Sequence, residues 1–222
     1  QHTNNQGGYI MRIAMINGSP KLGKSNSGRM LKALEPLIIS EHEISHYTIN
    51  KRPLTDEQYI ELCHMDTLIF AFPLYFDAIP SHLLRMLTTL EGYMKAERKK
   101  EIYVYALVNN GFYEGKQTCI ALEIIKNWCI RSGLHFGQGI GQGAGEMMGF
   151  IEKVPLGQGP LKNLGRAMER LAKNIHSQGR DESLLFSPNF PRFAWRFAAT
   201  HSFWHAKAKK NGLKKKDIMK RL

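Results

Sequence analysis

The sequence predicts an α/β domain, a doubly wound five-stranded parallel sheet with helices on both faces, followed by a basic, aromatic, helical C-terminal extension. Three observations predict it. Short apolar runs alternate with longer amphipathic stretches as far as His176, the pattern of successive βα units. The central runs, Arg12–Ile16, Thr67–Phe72 and Ile102–Val108, are almost wholly apolar, as strands covered on both sides are. The charge is segregated: of the net +12, nine units fall after Pro191, where ten Lys/Arg meet one acid, Asp217. The body is thus an ordinary globular domain and the tail a separate electrostatic object.

The elements follow in order. Arg12–Ile16 (RIAMI) is the first strand. Ser25–Ile39 reads as a helix with Met30, Leu31, Leu34 and Ile38 on one face. Glu43–Ile49 alternates and carries β-branched residues, giving a second strand. Thr55–Met65 is a short helix with Thr55 as N-cap and Glu57 and Gln58 in its first turn. Thr67–Phe72 (TLIFAF) is the third strand, too short and too apolar for a helix. Pro80 opens a helix over Ser81–Met94. Ile102–Val108 is the fourth strand, Gly115–Ser132 a long helix closed by Gly133, and Leu134–Gly137 a fifth strand. Leu161–His176 is the last amphipathic helix of the body. By analogy with one common doubly wound topology the expected strand order is 2-1-3-4-5.

The boundaries expected are a flexible leader over 1–10, with Met11 as the natural start, a domain over 11–178 and an extension over 179–222. No apolar run approaches the roughly 18 residues of a membrane span. Cys63, Cys119 and Cys129 have no CxxC or metal spacing, and read as reduced thiols of a cytoplasmic protein. His42, His46, His64, His82 and His135 show no ligand spacing either, so no metal site is expected.

The chemistry concentrates after the first strand. Asn17–Lys24 carries two glycines, a proline and two lysines, and Ser25, Asn26 and Ser27 suit a helix N-terminus. Such a loop presents N–H groups and hydroxyls at a positive helix end, a phosphate site. Two motifs overlap in it. Gly18–Ser25 (GSPKLGKS) satisfies the nucleoside-triphosphate loop pattern, with Lys24 on the phosphates and Ser25 on magnesium. Phosphoryl transfer also needs a carboxylate at the end of a neighbouring strand. The strands here end in Phe72-Pro73 and Val108-Asn109.

The other motif, G-S-P-x-x-x-x-S-N-S, resembles the NADPH-dependent FMN reductase-like family of the flavodoxin-like superfamily. Two further stretches carry the resemblance. AFPLYFDAIPSHLLRML (Ala71–Leu87) is similar to the family's second flavin loop, and NNGFYEG (Asn109–Gly115) to its third. The resemblance covers residues 11–175. It implies a flavodoxin-like fold with FMN at the carboxyl ends of strands 1, 3 and 4. The residues implied are Ser19, Lys21, Ser25, Asn26 and Ser27 for the phosphate, then Pro73, Leu74, Tyr75 and Phe76, and Asn109, Asn110, Gly111 and Phe112, for the ring. Backbone N–H groups around Leu74–Phe76 and Asn110–Phe112 are expected to meet the ring's polar edge. The glycines Gly139, Gly141, Gly143 and Gly145, placed after the fifth strand, are expected either to line the pocket or to form a flexible connection.

The resemblance further implies an FMN-dependent NAD(P)H oxidoreductase, passing hydride to a quinone, a flavin or another small acceptor, and a homo-oligomer. No acid–base pair or nucleophile stands out, and hydride transfer requires none. A flavodoxin-type electron carrier and, less favoured, a P-loop triphosphatase are the alternatives. For the tail, Phe193, Phe197, Thr200 and Trp204 at helical spacing beside many lysines suit packing on its own domain or on a partner subunit, or an anionic membrane surface. Nucleic acid is disfavoured, since no recognition motif accompanies the lysines.

Overall fold

The computed structural model describes residues 9–50 and 52–220. The leader expected over 1–10 therefore lies outside the described residues except for Tyr9 and Ile10. The chain divides into two compact units, 1–188 and 189–222.

In the first unit the strands are β1 (Arg12–Asn17), β2 (Glu43–Thr48), β3 (Thr67–Pro73), β4 (Tyr103–Asn109), β5 (His135–Gln142) and β6 (Leu184–Phe186). All neighbours pair in parallel, in the order β2-β1-β3-β4-β5-β6. The helices are α1 (Asn26–Leu34), α2 (Asp56–Leu62), α3 (Ser81–Glu97), α4 (Cys119–Ser132) and α5 (Lys162–His176).

The apolar strands explain the layers. On β1, Ala14 and Ile16 pack into one core with side chains of α2, α3 and α4, among them Leu62, Leu87 and Trp128. Ile13 and Met15 pack into the other, with Leu34 of α1 and Met168 of α5. Successive side chains of a strand point to opposite faces, so a strand buried on both needs apolar residues along its length, as Leu68–Phe72 shows. The caps follow sequence chemistry. Thr55 and Gln58 form a reciprocal capping box at α2, and Gly133 ends α4 at φ 68°.

The sheet corrects the expectation in two places. It has six strands, since Leu184–Phe186, assigned from sequence to the extension, pairs with Ile140–Gln142 of β5. Its three residues gain strand geometry from that pairing and carry no pattern of their own. Strand β5 also runs five residues past Gly137. Gly139 and Gly141 therefore lie inside the sheet. Their role is close packing: a Cβ on Gly141 would fall 1.9 Å from Thr118 Oγ1, and one on Gly143 2.0 Å from the Tyr113 carbonyl oxygen. Glycine here admits the chain that leads into α4.

At the far end of the sheet from the carboxyl ends of the strands, Asp66 accepts from the Arg12 N–H at 2.7 Å, from Tyr9 at 3.0 Å and from Lys100 at 2.6 Å. Nearby, His42 Nε2 and His176 Nδ1 are 2.8 Å apart, with Glu41 beside them. This is the one group of three metal-capable side chains among the described residues. Its ring nitrogens are already partnered: His176 Nε2 donates to the Leu37 carbonyl, and His42 Nδ1 accepts from the Met11 N–H. The set is a chain of N–H donors and acceptors tying β1 to α5.

In the second unit, α6 (Arg192–Ala198), a π-helical stretch (Ala199–His205) and α7 (Ala206–Lys210) run on continuously. Gly212, at φ 71°, follows the end of this helix.

Candidate cofactor site

The site lies where β1, β3 and β4 end. Asn17, the last residue of β1, accepts the Ser19 N–H at 3.1 Å, and Ser19 Oγ accepts the Lys21 N–H at 3.3 Å. The Gly18 N–H donates to the Ala71 carbonyl at 2.8 Å, and a Cβ at Gly18 would press on Leu83 and Phe72. The loop thus lies tight against β3 before turning into α1. Ser25 caps α1, its Oγ accepting the Gly28 N–H at 3.0 Å. The next N–H groups, of Asn26 and Ser27, belong to the first turn, which has no intrahelical acceptors.

The third loop locks onto the first. Asn109 ends β4 and donates from Nδ2 to Ser27 Oγ at 3.0 Å and to the Phe72 carbonyl at 3.3 Å. Asn110 donates from Nδ2 to the Glu114 carbonyl at 3.1 Å. Its Oδ1 is buried with no hydrogen-bond partner. A buried acceptor left unpaired is costly, and a ligand N–H or O–H would satisfy it.

The second loop is a tight turn. Tyr75 and Ala78 exchange N–H···O bonds, each 2.9 Å. Phe76 and Asp77 between them sit at φ 46° and 61°, as a type I′ turn requires. Phenylalanine is a poor choice for that region, yet Phe76 is fully exposed there and Tyr75 half-exposed. A strained, solvent-facing aromatic beside a polar cavity is the kind of feature that marks binding sites.

These pieces enclose a cavity of about 150 Å³. Ser19, Lys21, Asn26 and Ser27 line one part, Pro73, Leu74 and Tyr75 another, and Asn109, Asn110 and Gly111 a third. Three residues named from sequence lie outside the lining. The Ser25 hydroxyl is engaged in capping, and with Lys24 it lines a neighbouring cavity of about 540 Å³ between α1 and the segment running from Met148 to Leu164. Phe76 and Phe112 are exposed. The expected N–H donors to a ring are also largely committed: Leu74 to the Asn109 carbonyl, Tyr75 to Ala78 and Asn110 to Gln142.

One lining residue has no counterpart in the sequence reading, Glu146, whose carboxylate stands 3.9 Å from Lys21 Nζ. A carboxylate in a glycine-rich stretch carries no local signal. It is placed by Ala144, held at φ 52°, and by Gly145, whose N–H donates to the Asn110 carbonyl at 2.7 Å.

The geometry also separates the two overlapping motifs. Lys24 does not line the cavity that Ser19, Lys21 and Ser27 share. Asp66, a carboxylate adjoining β3, is at the opposite end of the sheet. Among the described residues no carboxylate stands at the end of β3 or β4, where a triphosphate site needs one, and Glu152, which lines the cavity of Lys24 and Ser25, is paired with Arg29.

The sequence matches no protein-family model, and no curated protein matches it. Solved structures do match. A NADH:FMN oxidoreductase (EMOB) in its apo form superposes with a TM-score of 0.59 at 15% identity, over 84% of this chain and 99% of that one. The fold is flavodoxin-like. A flavodoxin, WrbA-like protein from Agrobacterium tumefaciens gives 0.52 at 14% identity, over 77% and 99%. An NADPH-quinone reductase from P. pentosaceus gives 0.52 at 12%, over 75% and 98%. In flavodoxin-like sheets ligands bind beyond the carboxyl ends of the strands, where the order reverses. Here that is the gap between β1 and β3, where the cavity lies.

Proposed function

We propose that the protein is an FMN-dependent NAD(P)H oxidoreductase that passes hydride from a nicotinamide cofactor to a quinone, a flavin or a comparable small acceptor. One observation carries it: residues of three separate loops meet in a single cavity whose polar end suits a phosphate and whose other side carries the half-exposed Tyr75.

The residues fit FMN in kind. Ser19 and Ser27 supply hydroxyls, the first turn of α1 supplies N–H groups, and Lys21 supplies charge for the phosphate. Asn110 Oδ1 would receive a donor from the cofactor. Tyr75 and Phe76 offer apolar faces to its ring. The cavity is smaller than the roughly 300 Å³ at which ligand pockets begin, so much of the ring would rest on the open rim. A second copy of the chain, as in the homo-oligomer expected from sequence, would cover it. When bound, FMN supplies hydride acceptance and delivery. The chain's part is to bind the phosphate, fix the ring plane and leave the exposed face open to small reactants.

The purified protein is expected to be yellow, to take up FMN when stripped, and to oxidise NADH or NADPH with an artificial acceptor. A flavodoxin-type carrier has the same fold and would bind FMN without oxidising either nicotinamide, so the same assay separates the two. The three structures resembled are a NADH:FMN oxidoreductase, a WrbA-like flavodoxin and an NADPH-quinone reductase, and among the described residues no helix is long and apolar enough to cross a membrane.

A further inference from the structure

The second unit holds an ordered helix with almost nothing buried. Across α6, the π-helical stretch and α7, Ala208 is the one buried residue. The helix nevertheless carries Phe193, Phe197 and Trp204, exposed to 78%, 65% and 56%. Its polar rings are arranged along it too: Phe197 stacks on His201 with centroids 4.1 Å apart, and His201 meets His205 at 4.9 Å. Helices gain most of their stability by burying an apolar face. This one presents Phe193, Phe197 and Trp204 to solvent.

The charge follows directly. From Lys207 onward come eight of the tail's ten basic residues, against Asp217 alone. Asp217 is itself spent, pairing with Lys220 at 2.9 Å and accepting the Lys214 N–H at 2.9 Å. Two arginines, Arg192 and Arg196, alternate with Phe193, Trp195 and Phe197, but every lysine of the tail follows the rings. A platform for single-stranded nucleic acid interleaves the two so that bases stack while phosphates pair. A second copy of the unit would bring like charges together. Aromatic rings next to a polybasic run match the two-part anchoring of proteins at anionic bilayers, an apolar insertion plus headgroup attraction.

We propose that residues 192–220 bind anionic lipid surfaces, with Phe193, Phe197 and Trp204 entering the interface and the lysines beyond them meeting the headgroup charge. The surface is independent of the candidate cofactor site.

The test uses the full chain in vesicle sedimentation, with phosphatidylcholine alone and with phosphatidylcholine containing phosphatidylserine. Binding to the mixed vesicles, little binding to the neutral ones, and loss of binding as ionic strength rises are expected. Tryptophan emission shifts to the blue on binding. Phe193→Ser, Phe197→Ser and Trp204→Ser together weaken partitioning at least about tenfold, with circular dichroism unchanged. Lys209→Gln, Lys210→Gln and Lys216→Gln each weaken it by about fivefold. Equal binding to both vesicle types, or a triple aromatic variant that binds as the parent does, overturns the proposal. So does tighter binding to a single-stranded oligonucleotide than to the mixed vesicles at the same salt. A change in oligomeric state on aromatic substitution without a change in vesicle binding assigns the face to self-association and overturns it as well.

Discussion

Asn109, the last residue of β4, donates its side-chain amide to Ser27 Oγ in the first turn of α1, 3.0 Å away and 82 positions distant in sequence. Both groups are buried. The bond ties the third loop to the first turn of α1. Ser27→Ala removes that acceptor and one hydroxyl of the proposed phosphate site. Hydrogen bonds to charged groups are worth about 1.5–3 kcal/mol, so FMN affinity should fall by about 10- to 100-fold. Titration by quenching of flavin fluorescence measures it. An unchanged affinity would remove Ser27 from the phosphate site.

Lys21 and Glu146 face each other at 3.9 Å across the cavity, both more than half exposed. An exposed pair of this kind contributes little to stability, but Glu146 competes with a phosphate for Lys21. Glu146→Gln should tighten FMN binding by about two- to fivefold at low salt, with the gain fading as salt screens it. Lys21→Ala should weaken binding with the opposite salt trend.

The glycines of β5 and the turn after it are packing devices. Gly141→Ala places a methyl against Thr118 Oγ1 and Leu185. Overpacking of this sort costs about 1–3 kcal/mol. The urea midpoint should fall at constant slope, and flavin binding per folded molecule should stay as it was. A loss of binding without a loss of stability would return Gly141 to the pocket wall.

The His42–His176 pair makes stability depend on pH. Burial and then the facing His176 hold the His42 pKa below its ordinary 6.5. The fold thus disfavours the imidazolium. The stabilisation from neutral His42 is complete above the unfolded value and is lost as pH falls through the lower folded one. Thermal midpoints should drop between about pH 7 and pH 5, and His42→Phe should flatten that dependence. His82 is shifted down by burial as well, so a residual slope should remain in the variant.

Much of the fold was legible because its signals are local. Leu68–Phe72 is apolar at every position since both of its faces are covered, and Thr55 with Gln58 announces α2 by side chain alone. What sequence missed depends on distant partners. Leu184–Phe186 becomes a strand through Ile140–Gln142, and the glycines that suggested a loop are what let β5 continue beside the chain entering α4. The cavity's main members were readable as a run of serines at a helix start and an Asn-Asn-Gly at a strand end. Ser25 was legible as a cap; that capping keeps its hydroxyl out of the cavity, and that Glu146 stands beside Lys21, were not, because these are decided by helix geometry and by a backbone turn at Ala144.

The absorption spectrum of the purified protein, stripped, reloaded with FMN and then mixed with NADH or NADPH, tests the central claim most directly. Stoichiometric FMN uptake with flavin bands that bleach on adding the nicotinamide and return with an acceptor is the expected result. Failure to take up FMN, with stoichiometric binding of ATP and magnesium in its place, would contradict it.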